Sequence, residues 1–213
     1  MVEPEVVKER GLDRILDLSD DVFAFALTLL VLDLVVPAFV SSQDSSVLPS
    51  LLAGEWNGFF NYFLSFIMIA LWWSAHQRYF EYIRGYDGRL RVLNLLMLLT
   101  ITLIPFLTKL LDTWSSLSFP SSSSAFAAAL YAFDQGAAGT FLALTWRHAT
   151  EGRRLIDTSL DQKIVNRMRT TSIIPPTMFY LSIPLGYIGA EVAWASWLAT
   201  FPISYIVRRK YGK

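Results

Sequence analysis

Residues 14–33 read RILDLSDDVFAFALTLLVLD, a charged start followed by a long apolar run. From Val22 to Val40 the chain carries a single charged residue, Asp33. The hydrocarbon core of a bilayer is about 30 Å thick, and a helix needs roughly 20 mostly apolar residues to cross it. This stretch therefore predicts a transmembrane helix, the first of the chain.

Spacings of three and four residues place one set of side chains on a single stripe of this helix. The stripe begins with a carboxylate and has one hydroxyl among bulky apolar groups: Asp21, Phe25, Thr28, Leu29 and Leu32. Rings of acidic side chains concentrate cations, and apolar constrictions gate pores by excluding water. A pore lining would show this pattern. Residues that face lipid or pack in a bundle would show much of it too, so spacing alone leaves both interpretations open.

Five further apolar blocks follow in the chain. Together the blocks predict six transmembrane helices, at approximately residues 14–40, 56–84, 89–114, 122–148, 167–188 and 190–208. Clusters of Ser, Gly, Pro and charged residues separate most of them, as is typical of turns and helix caps. We expect an all-α membrane protein that forms one transmembrane domain over residues 1–213, without a second, soluble domain.

The basic residues sort to one side of this arrangement. With the N-terminus inside, every Lys and Arg except Lys109 falls on the inner side, in or near short loops. This is the bias that the positive-inside rule describes. It predicts an even number of helices with both termini in the cytoplasm.

Composition narrows the classes of function. The 213 residues are 54% hydrophobic and 17% charged, with no cysteine and two histidines. Disulfides, cysteine nucleophiles and histidine-rich metal sites are therefore excluded. The formal net charge of zero gives no indication of nucleic-acid binding. Because no phosphate-binding loop, hydrolase elbow or zinc-protease motif is found, we expect neither an enzyme nor a cofactor.

The first predicted helix resembles that of the bacterial members of the endolysosomal potassium channel family, transmembrane protein 175. Their helix carries an Arg, then Phe-Ser-Asp four residues on, then a run close to Val-Phe-Ala-Ile-Ala-x-Thr-Leu-Leu-Val-Leu. Leu18 replaces the Phe of that motif, and Phe25 replaces an Ile or Leu. The motif matches at Arg14, Ser19, Asp20, Phe23, Thr28 and residues 29–32, and a second Trp-x-x-His motif matches at Trp73 and His76.

The resemblance implies a potassium-selective, passive channel of the bacterial plasma membrane, without the usual filter loop. It implies a homotetramer, in which four copies of the first helix surround the pore. Its partners would be other copies of itself, the bilayer and permeating potassium ions, with no other metal and no cofactor. By position, apolar constriction rings would come from Phe25, Leu29 and Leu32, a selectivity ring from Thr28, and the pore mouths from Asp21 and Asp33.

Arg14, Ser19 and Asp20 require a separate explanation, because charges near a membrane are costly unless they have partners. Arg14 and Asp20 are six residues apart and do not stack on one helix face, so each would reach another helix. One hypothesis is a polar network with Trp73 and His76 that joins the first helix to its neighbours. The alternative is that Ser19 or Asp20 caps the helix, while Arg14 anchors to lipid headgroups.

Asp134 is the basis of an alternative prediction of function. A carboxylate inside a predicted membrane helix is a candidate functional site, and a secondary transporter or proton pathway could use it with Asp20 and Arg14. Equally, Asp134 could join two helices beside Gly136 and Gly139, which permit close packing.

The segment Leu185–Gly189 reads LGYIG and loosely resembles a Gly-Tyr-Gly filter. It lacks the preceding Thr-Val and a pore helix, so it predicts a turn between the fifth and sixth helices.

Overall fold

The computed structural model describes residues 4–34, 48–115, 122–188 and 192–200, which are helical apart from short connections. The predicted all-α architecture is therefore confirmed for this part of the chain. The long helices are α1 (Pro4–Leu29), α3 (Trp56–Phe80), α4 (Gly88–Ser115) and α5 (Ser122–Thr150). The shorter ones are α2 (Leu48–Gly54), α6 (Gln162–Ser172), α7 (Ile174–Ser182) and α8 (192–200). Short 3-10 helices follow α1, α5 and α7, at Leu30–Asp33, Glu151–Arg153 and Pro184–Tyr187.

Two helices in the described ranges, Trp56–Phe80 and Gly88–Trp114, are long and apolar enough to cross a membrane by length and composition. The other predicted spans differ in their limits. α1 begins well before residue 14, and residues 35–40 of the first predicted span lie outside the described residues, as do residues 201–208 of the last. The count of six spans and the location of both termini stay predictions.

The fifth predicted span, 167–188, is divided into α6, α7 and the 3-10 helix Pro184–Tyr187. Prolines explain the divisions, because proline has no N–H to donate and its ring clashes with the preceding turn. Two prolines stand at the start of α7 and one opens the 3-10 helix. α6 begins earlier than predicted, at Gln162, where the Asp161 side chain accepts a hydrogen bond from the Lys163 amide.

α4 and α5 form the centre of the bundle. α1 packs against α3 and α4, whereas α5 packs against α4 and carries α6 and α7. α8 joins through Trp197, which stacks on Tyr131 at 5.0 Å and donates from Nε1 to Ser182 Oγ at 2.7 Å. This arrangement leaves α1 at one side of the subunit and α7 at another. The buried core includes Leu30, Met68, Ile69, Met97, Ile101, Trp146 and Phe179.

α5 and α7 approach closely at two glycines. A Cβ atom on Gly136 would lie 2.6 Å from the Tyr180 ring, and one on Gly139 would lie 2.8 Å from Trp72 and 2.9 Å from Pro176. Small residues let helix backbones approach in this way in membranes. These two glycines therefore fix the position of α7 on α5.

The loop between α3 and α4 is tied to the end of α5. The Arg84 and Gly85 amides both donate to the Leu155 carbonyl, at 2.7 and 3.0 Å. Asp87 accepts from the Leu90 amide at 2.8 Å, which caps α4, and its other carboxylate oxygen lies 2.8 Å from His148 Nε2. Burial alone would raise the pKa of Asp87, but these hydrogen bonds outweigh it and the pKa is lowered. Asp87 therefore stays ionised at neutral pH and holds both helices.

Candidate functional site

α1 and the 3-10 helix that continues it have a packed face and an exposed face, which are called the faces of α1 below. The packed face contacts the rest of the subunit through Leu12, Ile15, Ser19, Phe23, Ala26 and Leu30, all buried. The opposite face consists of exposed side chains at spacings of three and four, and it includes Arg14, Leu18, Asp21, Phe25, Thr28 and Leu32. Four of the five residues of the predicted stripe therefore lie outside the subunit's core, where a neighbouring copy or a central pore could contact them.

The exposed face of α1 is strongly apolar at its outer half. Phe25 is 66% exposed and Leu32 is 75% exposed. Leu29 differs, because it is only partly exposed. It lines a groove of about 260 Å³ together with Phe25 and Thr102 of α4. Leu29 thus lies at the edge of the stripe, whereas Phe25 and Leu32 are more exposed and lie at its centre.

Thr28 is the hydroxyl of this face. Its Oγ1 donates to the Phe25 carbonyl at 2.8 Å, within its own helix. A hydroxyl has one hydrogen and two lone pairs. Because the hydrogen is engaged with the backbone, the oxygen keeps its lone pairs for a group outside the helix. Such an oxygen can serve as a ligand for a cation.

The two acidic residues predicted at the pore mouths lie in different surroundings. Asp21 is exposed on the stripe. Asp33 is partly buried, in the 3-10 helix that ends α1, and its Oδ2 has no partner among the described residues. Lys109 of α4 donates to the Asp33 backbone carbonyl at 3.0 Å and to Asp112 Oδ2 at 3.3 Å. Asp33 therefore lies beside a cation of its own subunit, whereas Asp21 forms no ion pair with any of the described residues.

A buried polar chain crosses three helices behind the stripe. Ser19 Oγ donates to the Ile15 carbonyl at 2.7 Å and accepts from Asn94 Nδ2 at 2.9 Å. Asn94 Oδ1 lies 2.8 Å from His76 Nε2. An amide oxygen only accepts, so His76 Nε2 carries the hydrogen in this arrangement. Ser19, Asn94 and His76 are all buried. Their hydrogen bonds therefore join α1 to α3 and α4 inside the subunit.

A second polar contact lies closer to the surface. Trp73 Nε1 donates to Asp20 Oδ1 at 2.9 Å, and Gln77 Nε2 donates to the same oxygen at 2.6 Å. This contact joins α1 to the inner part of α3 independently of the buried chain. Ser19 and Asp20 therefore bond with neighbouring helices. The capping alternative is wrong, because α1 runs from Pro4 to Leu29 and both residues lie in its middle.

Arg14 lies apart from both contacts. It is exposed on the same face as Asp21, and among the residues that the structure describes it has no ion-pair or hydrogen-bond partner. The predicted network of Arg14, Ser19, Asp20, Trp73 and His76 thus comprises two separate contacts in the subunit, with Arg14 in neither. Its position favours a partner outside the subunit, such as a lipid headgroup or another copy of α1.

The sequence patterns did not identify two residues that take part in these contacts, Asn94 and Gln77. Asn94 is the single polar residue of the run VLNLLMLL at 92–99, and an amide inside such a run is the signal that could have identified it. Gln77 follows His76 directly and gives a weaker signal, because the end of a membrane helix is commonly polar.

Asp134 is buried in α5, where it is 5% exposed. Its Oδ2 receives no hydrogen bond from any residue in the described ranges. The neighbouring Gln135 accepts from Trp72 Nε1 at 2.7 Å, so the bond between α5 and α3 at this level comes from Gln135. Asp134 is therefore separate from the exposed face of α1.

Comparison with known proteins identifies relatives of this arrangement. Residues 14–105 match the profile of a family described as endosomal/lysosomal potassium channel TMEM175. A potassium channel of Chamaesiphon minutus is 31% identical over 195 residues, which cover 89% of this chain and 90% of that protein. A potassium channel of Streptomyces collinus is 28% identical over 183 residues, 86% of each chain. The matched region 14–105 contains the stripe, the Ser19–Asn94–His76 chain and the Asp20 contact.

One solved structure resembles the whole subunit. It is the crystal structure of a lysosomal potassium-selective channel TMEM175 homolog from Chamaesiphon minutus, with a TM-score of 0.73 and 26% sequence identity. The superposition covers 95% of this chain and 98% of that one. The similarity thus includes α5 to α8 as well as the region that carries the motifs.

Proposed function

Because this chain belongs to the endosomal/lysosomal potassium channel family TMEM175, a family of membrane ion channels, we propose that it is a passive potassium channel of the bacterial plasma membrane. The observation that carries the proposal is the exposed face of α1, with Asp21 and Thr28 among bulky apolar side chains. Its bacterial relatives that align over most of their length are named potassium channels. No enzymatic activity is proposed.

The pore is formed by four copies of α1 in a homotetramer, with both termini in the cytoplasm. Exposed apolar residues alone do not require a pore, since lipid solvates Phe25 and Leu32 equally well. A carboxylate on the same stripe does favour one, because a charge that faces hydrocarbon is costly whereas a water-filled axis solvates it. The packed opposite face of α1 leaves this stripe as the side that turns toward the axis.

Each side chain then has a specific role in conduction. Phe25 and Leu32, with Leu29 at their edge, form apolar rings that narrow the pore in the absence of the usual filter loop. Thr28 places an oxygen between the rings of Phe25 and Leu32, where it replaces part of the hydration shell of a potassium ion. Asp21 raises the local concentration of cations at the inner mouth, and Asp33 stands at the outer end.

The direct test is ion flux in liposomes that contain the purified protein and a potassium gradient. A potassium channel gives a current that reverses near the potassium equilibrium potential without any second ion. Strict dependence on a proton or sodium gradient would contradict the proposal and would favour a transporter that uses Asp134.

Replacing Thr28 with alanine should weaken the preference for potassium over sodium while the tetramer is retained. The reason is that the variant removes the polar oxygen of the stripe between the apolar rings. The reversal potential under bi-ionic conditions measures the effect, and each tenfold loss of the permeability ratio moves it by about 59 mV at 25 °C, the value for one elementary charge. Thr28→Ser keeps the hydroxyl and should retain selectivity. An unchanged reversal potential in Thr28→Ala would place selectivity at another residue.

Replacing Asp21 with asparagine should lower the potassium conductance several-fold at about 10 mM salt, where the Debye length is about 30 Å, and little at 1 M, where it is about 3 Å. The carboxylate acts through its field, so screening by salt removes the difference. Glu81→Gln removes an exposed carboxylate just beyond α3 and should leave conductance unchanged. Equal losses in Asp21→Asn at both salt concentrations would indicate a structural effect.

A further inference from the structure

Two arginines stand at the entrance of an apolar groove on the side of the subunit that carries α7. The groove has a volume of about 310 Å³ and lies between α5, α6 and α7. Arg147 of α5 and Arg169 of α6 line one end of it, and Leu144, Ile173 and Pro176 line its walls. We propose that this groove binds an anionic phospholipid, with the phosphate between Arg147 and Arg169 and an acyl chain along α5 and α7.

The charge at this end of the groove is not neutralised within the subunit. Arg147 and Arg169 are both exposed, and among the described residues neither guanidinium group has an ion-pair or hydrogen-bond partner. The same two arginines also line an adjoining pocket of about 290 Å³ that contains Glu151. Glu151 is itself paired with Arg154 at 4.0 Å. A planar guanidinium matches the oxygens of a phosphate, and two of them at one entrance favour an anion.

The depth of the groove matches a lipid better than a free anion. Thr140 and Arg147 both line it and lie seven residues apart on α5, which is roughly 10 Å along a helix that rises 1.5 Å per residue. The groove therefore runs from the charged end of α5 into the apolar part of the membrane. A free phosphate would use the entrance and leave this apolar length empty.

The surroundings of the groove also face lipid. Ile173 is 56% exposed and Leu181 is 62% exposed, as expected for side chains that contact acyl chains. α5 carries α6 and α7, whereas α1 packs against α3 and α4. The groove thus belongs to the outer surface of the proposed tetramer. Basic pockets between helices at the cytoplasmic side are typical sites for anionic headgroups.

The test measures the retention of phosphatidylglycerol, phosphatidylcholine or inorganic phosphate by the full-length detergent-purified protein, using native mass spectrometry. We expect phosphatidylglycerol to be retained in preference to phosphatidylcholine. Each of Arg147→Gln and Arg169→Gln should weaken binding about fivefold, and the double variant about 25-fold, given about 1 kcal/mol per basic residue near a lipid surface. Arg78→Gln removes an exposed arginine of α3 outside the groove and should leave binding unchanged.

A second variant separates the lipid from a free anion. Ala143→Trp fills the apolar part of the groove and keeps both arginines, so it should abolish retention of phosphatidylglycerol. Equal retention of the two lipids, unchanged binding in the double variant, or displacement of phosphatidylglycerol by an equal concentration of inorganic phosphate would each overturn the proposal. If the glutamine variants do not fold, Ala143→Trp decides alone, and unchanged retention overturns the proposal. None of these results depends on which ion the pore conducts.

Discussion

Replacing Phe25 with alanine should raise potassium flux through the reconstituted protein by on the order of tenfold, which corresponds to a barrier lowered by about 1.4 kcal/mol. Phe25 is the largest side chain at the centre of the exposed stripe and is 66% exposed in the subunit. In the proposed tetramer, the four phenyl rings form the bulkiest apolar ring around the pore axis. Alanine widens and wets this ring, and water lowers the cost of ion passage through an apolar constriction.

The matched control for this experiment is Phe126→Ala. Phe126 lies on α5 and is 57% exposed. Its replacement therefore removes the same side chain from a comparably exposed position, on a helix that packs mainly against α4 and α7. Its flux should equal that of the unmodified protein. Equal flux in Phe25→Ala and the unmodified protein, with a retained tetramer, would place the constriction at another level of α1.

Replacing Asn94 with leucine should destabilise the subunit by about 1–3 kcal/mol, the typical penalty for a buried polar group without a partner. Interhelical hydrogen bonds in membrane proteins average only about 0.6 kcal/mol, so the lost bonds alone would have a small effect. Ser19 keeps its bond to the Ile15 carbonyl at 2.7 Å. His76 loses the only described partner of its Nε2 and has none at Nδ1. Denaturation in sodium dodecyl sulfate measures the free energy of unfolding.

Two further variants test the cause of this loss. Ser19→Ala removes both hydrogen bonds of the Ser19 hydroxyl, to the Ile15 carbonyl and from Asn94, but leaves the Asn94–His76 pair intact, so it should destabilise less than Asn94→Leu. Asn57→Leu places the same leucine at an exposed position of α3 and should have little effect. If Ser19→Ala and Asn94→Leu were equally destabilising, the orphaned imidazole would not be the main cause.

The apolar runs of the sequence predicted that the long helices exist, because a bilayer requires length and apolarity together, but they placed the start of α1 about ten residues too late. The limits of α4 and α5 differ from the predicted 89–114 and 122–148 by no more than two residues. α6 was predicted to begin later than it does, since a search for apolar runs does not detect a helix that buries only Val165, Met168, Thr171 and Ser172. Its start was nevertheless visible as Asp161, a favourable N-cap residue.

The candidate site was predicted less completely, since side-chain partners depend on how helices pack. The exposed face of α1 follows from spacing, so Asp21, Phe25, Thr28 and Leu32 could be selected in advance. Spacing does not show that Ser19 reaches His76 only through Asn94, because those residues lie on three helices. Nor does a shared motif show that Arg14 takes part in neither the Ser19 contact nor the Asp20 contact.

The pairing of Lys109 with the end of α1 gives the proposed pore two unlike ends. Lys109 lies within electrostatic range of the Asp33 carboxyl and bonds the backbone of the same residue. At the outer end of the proposed tetramer, each Asp33 carboxyl is partly buried beside Asp112 and the lysine that pairs with it, whereas each Asp21 carboxyl at the inner end is exposed on the stripe. Cations accumulate more at the inner end, so at low symmetric salt the channel rectifies and passes outward current more readily than inward current. The asymmetry fades as salt screens both rings.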